Sequence, residues 1–188
     1  MNKILKISLL ALAYIASFIA GSLTGLIHPA CYAYVGAILP ILFTLVYLPT
    51  ASSMRHFGAS TVLNSAMVLL CLAAGECDIA LVVGMILLTA ISEIIRMIHG
   101  YNTLRGVRLS FMPLALSFFA YTAHWWTDTE GSLAAAVEEM RPGYDAQMVP
   151  IIDNVPVLIV VVLLAIPVAI IGMRLAERLE KKQTEGLE

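Results

Sequence analysis

Charged side chains are scarce in this sequence: 13% of the residues are Asp, Glu, Lys or Arg, whereas 60% are hydrophobic. A soluble globular domain carries about 25% charged residues, so the composition argues strongly against a water-soluble fold. The few basic residues form no patch on one domain, and we therefore expect no nucleic-acid partner. The composition instead predicts an integral membrane protein whose partners include membrane lipid.

Cysteines are also few, and familiar catalytic motifs are missing. The three cysteines form no CxxC pair, so their spacing gives no sign of a disulfide framework. The sequence contains no HExxH, no GxSxG and no P-loop. We therefore expect neither an enzyme nor a cofactor site, and a transport role would need an energy source on another protein.

Lysine and arginine are nearly absent from alternate connecting segments. Ten of the eleven basic residues lie on one side of an alternating series of apolar stretches, and Arg141 alone lies on the other. The segments without lysine hold most of the acids: Glu76, Asp78, Asp128, Glu130, Glu138, Glu139, Asp145 and Asp153. This asymmetry follows the positive-inside rule, so it predicts that both termini are cytoplasmic.

The apolar stretches predict an all-α membrane protein with six transmembrane helices in one bundle, a single domain over residues 1–188. A helix needs about 20 apolar residues to cross the hydrocarbon layer. The predicted spans are Ile4–Ile27, Tyr32–Leu48, Ala59–Ala74, Ile79–Ile98, Leu109–Trp126 and Val155–Leu175. We expect Pro49 to end the second span. A long external loop, 127–154, joins helices five and six, and we expect a short helix over 132–140 to cover the outer mouth of the bundle.

Aromatic and polar residues gather at the external ends of the spans. Rings beside a few placed polar groups suit a small-molecule pocket, although such residues also collect at any membrane interface. The acidic, aromatic composition favours a cationic or flat aromatic ligand, or a metal chelate. The candidate ligand-binding residues are His28, Tyr32, Tyr34, Glu76, Asp78, His124, Trp125, Asp128, Tyr144, Asp153 and Asn154.

Direct metal binding is an alternative at the same end. Histidine, cysteine and carboxylate groups there could act as ligands if the fold gathers them, but no pair has a diagnostic spacing. We therefore predict no metal ligands. The residues concerned are His28, Cys31, Glu76, Cys77, Asp78 and His124.

A few polar or small residues lie within the spans. Glu93 and Arg96, at i and i+3, are interpreted as a mutually compensating pair with Arg96 reaching toward the membrane surface, or as a contact for a cytoplasmic partner. Asn64 and Ser65 are expected to hydrogen-bond across helices. Small residues in the first span either pack inside the bundle or dock another membrane subunit, and the docking hypothesis names Ala13, Ala16, Ser17 and Ala20.

Three stretches resemble a known family. They are 39–58 (LPILFTLVYLPTASSMRHFG), 90–103 (AISEIIRMIHGYNT) and 140–150 (MRPGYDAQMVP). Over residues 8–180, their order, their spacing and the predicted topology are similar to those of the substrate-binding (S) components of energy-coupling factor transporters. The closest resemblance is to the Trep_Strep family of bacterial integral membrane proteins.

The resemblance implies a function and a set of partners. An S component binds a vitamin-like micronutrient from outside and works with a transmembrane T component and two cytoplasmic ATPase subunits, as part of an ABC-type importer in the bacterial cytoplasmic membrane. The alternative is a stand-alone small permease or channel, which would line a path through the membrane with polar groups.

Overall fold

The computed structural model describes residues 2–185, with side chains described as far as Lys182. This part of the chain is helical throughout and contains no strand. Its eleven α-helices are α1 (Lys3–Ser22), α2 (Pro29–Tyr34), α3 (Pro40–Ser53), α4 (Ala59–Ala74), α5 (Ile79–His99), α6 (Leu104–Leu114), α7 (Ser117–Tyr121), α8 (His124–Thr127), α9 (Thr129–Glu139), α10 (Tyr144–Ile152) and α11 (Val155–Glu185). Two 3-10 helices, Leu23–Leu26 and Val35–Ala37, extend α1 and α2.

Among the described residues, three helical segments are long and apolar enough to cross a membrane individually: Lys3–Leu26, Ile79–His99 and Val155–Lys182. A fourth span is possible if the consecutive segments Pro29–Ala37 and Pro40–Ser53, which meet at 43°, count as one. Helix α4 is apolar but has only 16 residues. The structure therefore supports a helical membrane protein with three or four candidate spans.

The second predicted span differs from its prediction at both ends. It begins earlier, because Pro29 occupies the first turn of α2, where a missing N–H costs no hydrogen bond. It also continues through Pro49 to Ser53. Proline removes one helical hydrogen bond but does not end a helix that tertiary packing holds, and Leu48 and Thr50 on either side of it are buried.

The fifth predicted span, 109–126, is not one helix. Its residues are divided among α6, α7 and α8. Pro113 lies in the last turn of α6 and cannot donate to the carbonyl one turn earlier. The chain turns after α6 and again after α7, and α8, which carries His124 and Trp125, leads directly into α9.

The long loop holds more structure than the single helix predicted over 132–140. Helix α9 begins at Thr129, where Asp128 Oδ1 accepts a hydrogen bond from the Gly131 N–H. A turn with Gly143 at φ 80° leads into α10, which was not predicted. Trp126 Nε1 donates to the Ile152 carbonyl at 3.2 Å and ties α8 to the end of α10.

Asn64 joins three other helices inside the bundle, as predicted. Its side-chain oxygen accepts from Tyr14 of α1 at 2.9 Å and from Ser117 of α7 at 3.1 Å. Its amide nitrogen donates to Thr89 of α5 at 2.9 Å. The neighbouring Ser65 is exposed and takes no part in this network.

Glu93 and Arg96 lie on α5 where the connection between α3 and α4 crosses it, and neither behaves as interpreted from the sequence. Both side chains are described, and they form no ion pair with each other. Glu93 Oε1 accepts the Ser60 N–H at 2.9 Å, at the start of α4. Arg96 is completely buried, and its Nη2 donates to the carbonyls of Ala51 and Met54 at 2.6 Å each, at the end of α3.

These contacts match each charge to a helix end. A carboxylate is favoured near the positive N-terminus of a helix and a cation near the negative C-terminus. Arg96 also lies 5.5 Å from the centre of the Tyr101 ring. Arg96 therefore does not reach toward the membrane surface: it is buried because the unpaired carbonyls of α3 meet its guanidinium inside the protein.

Candidate functional site

A cavity of about 740 Å³ lies at the end of the bundle that carries the acidic loops, hereafter the acidic end. Its walls come from five parts of the chain: the end of α1 and its 3-10 extension, α2, the α4–α5 connection, α7–α8, and α9–α10. Small-molecule sites in proteins have volumes of roughly 300–1,000 Å³. The cavity is therefore large enough for a small organic molecule.

Seven of the eleven candidate ligand-binding residues line this one cavity: Tyr32, Glu76, Asp78, His124, Trp125, Asp128 and Tyr144. The other four, namely His28, Tyr34, Asp153 and Asn154, lie outside its wall. His28 Nδ1 accepts the Ala30 N–H at the start of α2, and Asn154 Oδ1 accepts the Val157 N–H at the start of α11. These two polar side chains cap helices, and sequence composition alone does not separate capping residues from ligand-binding ones.

Aromatic rings form one side of the cavity. The Tyr32 ring meets those of Tyr121 and Trp125 edge-on, with centroids 6.4 Å apart in each pair. The Trp125 ring lies 6.4 Å from that of Tyr144 and 5.0 Å from that of His124. Edge-on and tilted contacts at these distances are favourable between rings, so they hold the wall in place.

Two polar atoms in this aromatic wall form no hydrogen bond of normal geometry within the protein: Trp125 Nε1, which has the Tyr32 hydroxyl as its neighbour, and the Tyr144 hydroxyl. Their side chains are only 3% and 1% exposed. A buried donor without a partner costs about 1–3 kcal/mol, and such groups are uncommon in native structures. Trp126 shows the usual arrangement, because its own indole N–H is bonded to a carbonyl. Both atoms are shielded from solvent, but their side chains belong to the cavity lining, so a ligand that displaces part of this wall can become their partner.

Four carboxylates line the cavity: Glu76, Asp78, Asp128 and Glu139. Asp78 and Asp128 each use one oxygen to cap a helix, α5 and α9 respectively. No lysine or arginine belongs to the described lining. The cavity therefore has a negative electrostatic character.

His124 is the only histidine of the described lining. Its Nδ1 lies 2.8 Å from the Ser132 hydroxyl of α9. Burial lowers the pKa of His124, and the carboxylates of Asp78 and Asp128 oppose that shift. The net direction is downward, so the neutral imidazole is favoured in the folded protein.

The six residues considered for a metal site do not come together as one. Among the side chains that the structure describes, those of residues 2–182, no three of His, Cys, Asp or Glu are placed to hold a metal ion. Cys71 and Cys77 are free thiols on the cavity lining, and Cys31 is exposed.

Several residues that line the cavity are not among the predicted ligand-binding residues. Tyr121 and Ser22 lie in stretches that the sequence predicts as ordinary membrane spans. Glu139 follows Glu138 in the short helix that the sequence predicts for the external loop. Gly25 has a specific role, because a Cβ added there would lie 3.3 Å from the Tyr144 hydroxyl. A hydropathy pattern contains no signal for such a close approach between residues so distant in the sequence.

The four proposed docking residues of α1 divide between two faces. Ala13, Ala16 and Ala20 are exposed, whereas Ser17 is buried and donates to the Ala13 carbonyl. Gly21 continues the buried side, and a Cβ there would approach Leu39 and Phe118 to within 2.7 Å. The buried small residues therefore serve packing, and the three alanines remain on the outside of the bundle.

Comparison with known protein families identifies the family of this chain. A family described as "hypothetical bacterial integral membrane protein (Trep_Strep)" matches residues 2–185. The chain belongs to this family. No curated protein and no solved structure matches it.

Proposed function

We propose that this protein is the membrane-embedded substrate-binding subunit of an energy-coupling factor importer of the ABC type. It would capture a vitamin-like micronutrient or a metal chelate from outside and deliver it inward with a T component and two cytoplasmic ATPases. The observation that carries the proposal is the cavity at the acidic end. Seven of the eleven residues predicted to bind a ligand line it, and two of these seven, Trp125 and Tyr144, carry buried polar atoms that lack a hydrogen bond of normal geometry.

The topology in this proposal has six spans with both termini in the cytoplasm. The spans would be α1, α2–α3, α4, α5, α6–α7 and α11, three of them shorter or less regular than a simple membrane helix. The charge asymmetry supports this orientation, because ten of eleven basic residues belong to the opposite end from the cavity. With that orientation the cavity opens outward, where a nutrient is captured.

The exposed alanines of α1 support a role for its outer face in docking the T component. Small side chains let the backbones of two helices approach closely in a membrane. Ala13, Ala16 and Ala20 are exposed beside larger apolar residues such as Leu12 and Ile19. A membrane subunit with its own small residues could pack closely there.

Copurification tests this proposal. The tagged protein, extracted in mild detergent from cells that also express the energising subunits, should bring down the T component and both ATPases. Ala16→Leu should weaken that recovery, whereas Ala90→Leu, at an exposed position of α5, should not. A protein that always purifies alone, with uptake unaffected by loss of the ATPases, would refute the proposal.

A stand-alone permease or channel is the second candidate, and one observation favours it. Polar side chains follow one another through the bundle: Ser60, Ser92, Ser110 and Tyr47 form a connected set, and Asn64 lies one turn further along α4. All five are buried; the three serines and Tyr47 are linked by hydrogen bonds, and Asn64 bonds to Tyr14, Thr89 and Ser117 instead. Uptake of a solute into liposomes that contain only this protein would favour the permease.

A further inference from the structure

We propose that the cavity at the acidic end binds an organic cation that carries a flat ring and at least one hydrogen-bond acceptor. This inference rests on the proposed function only in assuming that the cavity is a ligand site. Three independent features of the lining define the ligand: its charge, its aromatic wall and its unpaired donors.

The charge of the lining selects against anions. Four carboxylates face no lysine or arginine in the described lining. Arg141, the one basic residue near this end, donates instead to Gln147 at 3.1 Å and lies outside the cavity wall. A partly desolvated site lined by one sign of charge concentrates ions of the opposite sign. A ligand with a fixed positive charge therefore fits best.

The aromatic wall selects an organic cation over a simple inorganic one. The side chains of Tyr32, Trp125 and Tyr144 belong to the cavity lining, and an aromatic ring attracts a cation that approaches it. A bare metal ion would need several ligands close together, and no group of three is so placed among the side chains described for residues 2–182. A delocalised ring cation can use both the faces of the rings and the carboxylates.

The unpaired groups add the requirement for an acceptor. An indole N–H can only donate, so Trp125 Nε1 requires an acceptor atom such as a carbonyl, hydroxyl or ring nitrogen. The Tyr144 hydroxyl can donate or accept. A ligand that satisfies both removes two unfavourable features of the empty protein. The ligand class is thus a heteroaromatic or amine cation with a polar substituent.

Three related probes separate these requirements. Nicotinamide, its N-methylpyridinium form and nicotinate share one ring, and at neutral pH they are neutral, cationic and anionic respectively. Equilibrium binding to the purified protein in detergent would be followed by isothermal titration calorimetry. We expect the pyridinium to bind at least about tenfold more tightly than nicotinamide, a difference of about 1.4 kcal/mol, and nicotinate not to bind. Equal binding of all three, or preference for the anion, would overturn the inference.

Matched variants assign the effect to the cavity. Trp125→Phe and Tyr144→Phe keep an aromatic ring at each position and remove the unpaired groups, so each should weaken pyridinium binding about threefold or more. Tyr34→Phe is the control, because Tyr34 does not line the cavity. Glu76→Gln with Glu139→Gln should weaken the preference for the cation, since Asp78 and Asp128 remain, whereas Glu130→Gln with Glu138→Gln should preserve it. Control variants that weaken binding as much as the cavity variants would also contradict the inference.

The binding experiment uses the purified protein alone, so it is independent of the transporter assignment. Preference for the cation without copurifying ATPases would keep the ligand class and refute the importer. Copurifying ATPases together with a preference for the anion would keep the importer and refute the ligand class.

Discussion

Replacing Arg96 with methionine removes a completely buried guanidinium that holds the end of α3 against α5. Arg96 Nη2 donates to the carbonyls of Ala51 and Met54 at 2.6 Å. Hydrogen bonds to charged groups each contribute about 1.5–3 kcal/mol. Methionine has a similar length and keeps most of the apolar packing, so the substitution removes these two bonds together with the weaker contacts of Arg96 to the Tyr101 carbonyl, at 3.4 Å, and to the Tyr101 ring.

The expected loss is smaller than the two bonds together. Arg96 Nε and Nη1 have no hydrogen-bond partner, so the wild-type protein already bears the cost of burying a charge that is only partly compensated. Methionine relieves that cost, while the two carbonyls lose their donor. We therefore expect a net loss of about 2–4 kcal/mol in the free energy of unfolding.

Thermal unfolding in detergent measures this effect, and a second arginine serves as control. Arg108 pairs with Glu177 at 2.6 Å, but its side chain is 49% exposed. Exposed ion pairs contribute about 0–1 kcal/mol, so Arg108→Met should change the melting temperature little. An Arg96→Met protein that melts no lower than Arg108→Met would refute the assignment of Arg96 as the residue that holds the end of α3.

Four further predictions test other parts of the structure. Asn64→Leu should destabilise the protein by about 1–3 kcal/mol in a denaturation assay, because three partner side chains lose their hydrogen bonds, whereas Ser65→Ala should have almost no effect. Gly21→Val should lower the melting temperature because its side chain would collide with Leu39 and Phe118, and Ala20→Val, on the exposed face, should not. Burial lowers the pKa of His124, so its neutral side chain favours the folded state above the ordinary histidine pKa of about 6.5, and this contribution to stability is lost as the pH falls. Wild type should therefore lose more stability than His124→Gln on acidification, and equal losses would contradict this. A membrane-impermeant maleimide should label Cys31 in intact cells if the acidic end is external, and labelling only after lysis would reverse the topology.

Hydropathy and charge predicted the regular helices well. Helix α4 has the predicted bounds, α5 differs by one residue at its end, and α11 continues as one helix into the basic tail. These features depend on local composition, which a sequence states directly. The break in the fifth span does not depend on local composition, because the stretch is apolar throughout. Pro113 and the packing of α7 against its neighbours divide it.

The candidate site was partly predictable for the same reason. Residues at the acidic end were chosen by type, and those on α8 and on the α4–α5 connection do line the cavity. Sequence could not distinguish them from His28 and Asn154, whose polar atoms cap helices. It also could not reveal the partners of Arg96, because the carbonyls it meets lie more than 40 residues earlier in the chain.

The most direct measurement is native mass spectrometry of the protein purified in mild detergent from the cells in which it naturally occurs. Binding at the acidic end predicts one retained small cation per protein in the wild type and a loss of occupancy in the Trp125→Phe, Tyr144→Phe double variant. The Tyr34→Phe variant should retain the molecule. A wild-type protein that stays empty even after incubation with an extract of its own cells, or a ligand retained equally by the double variant, would contradict the account.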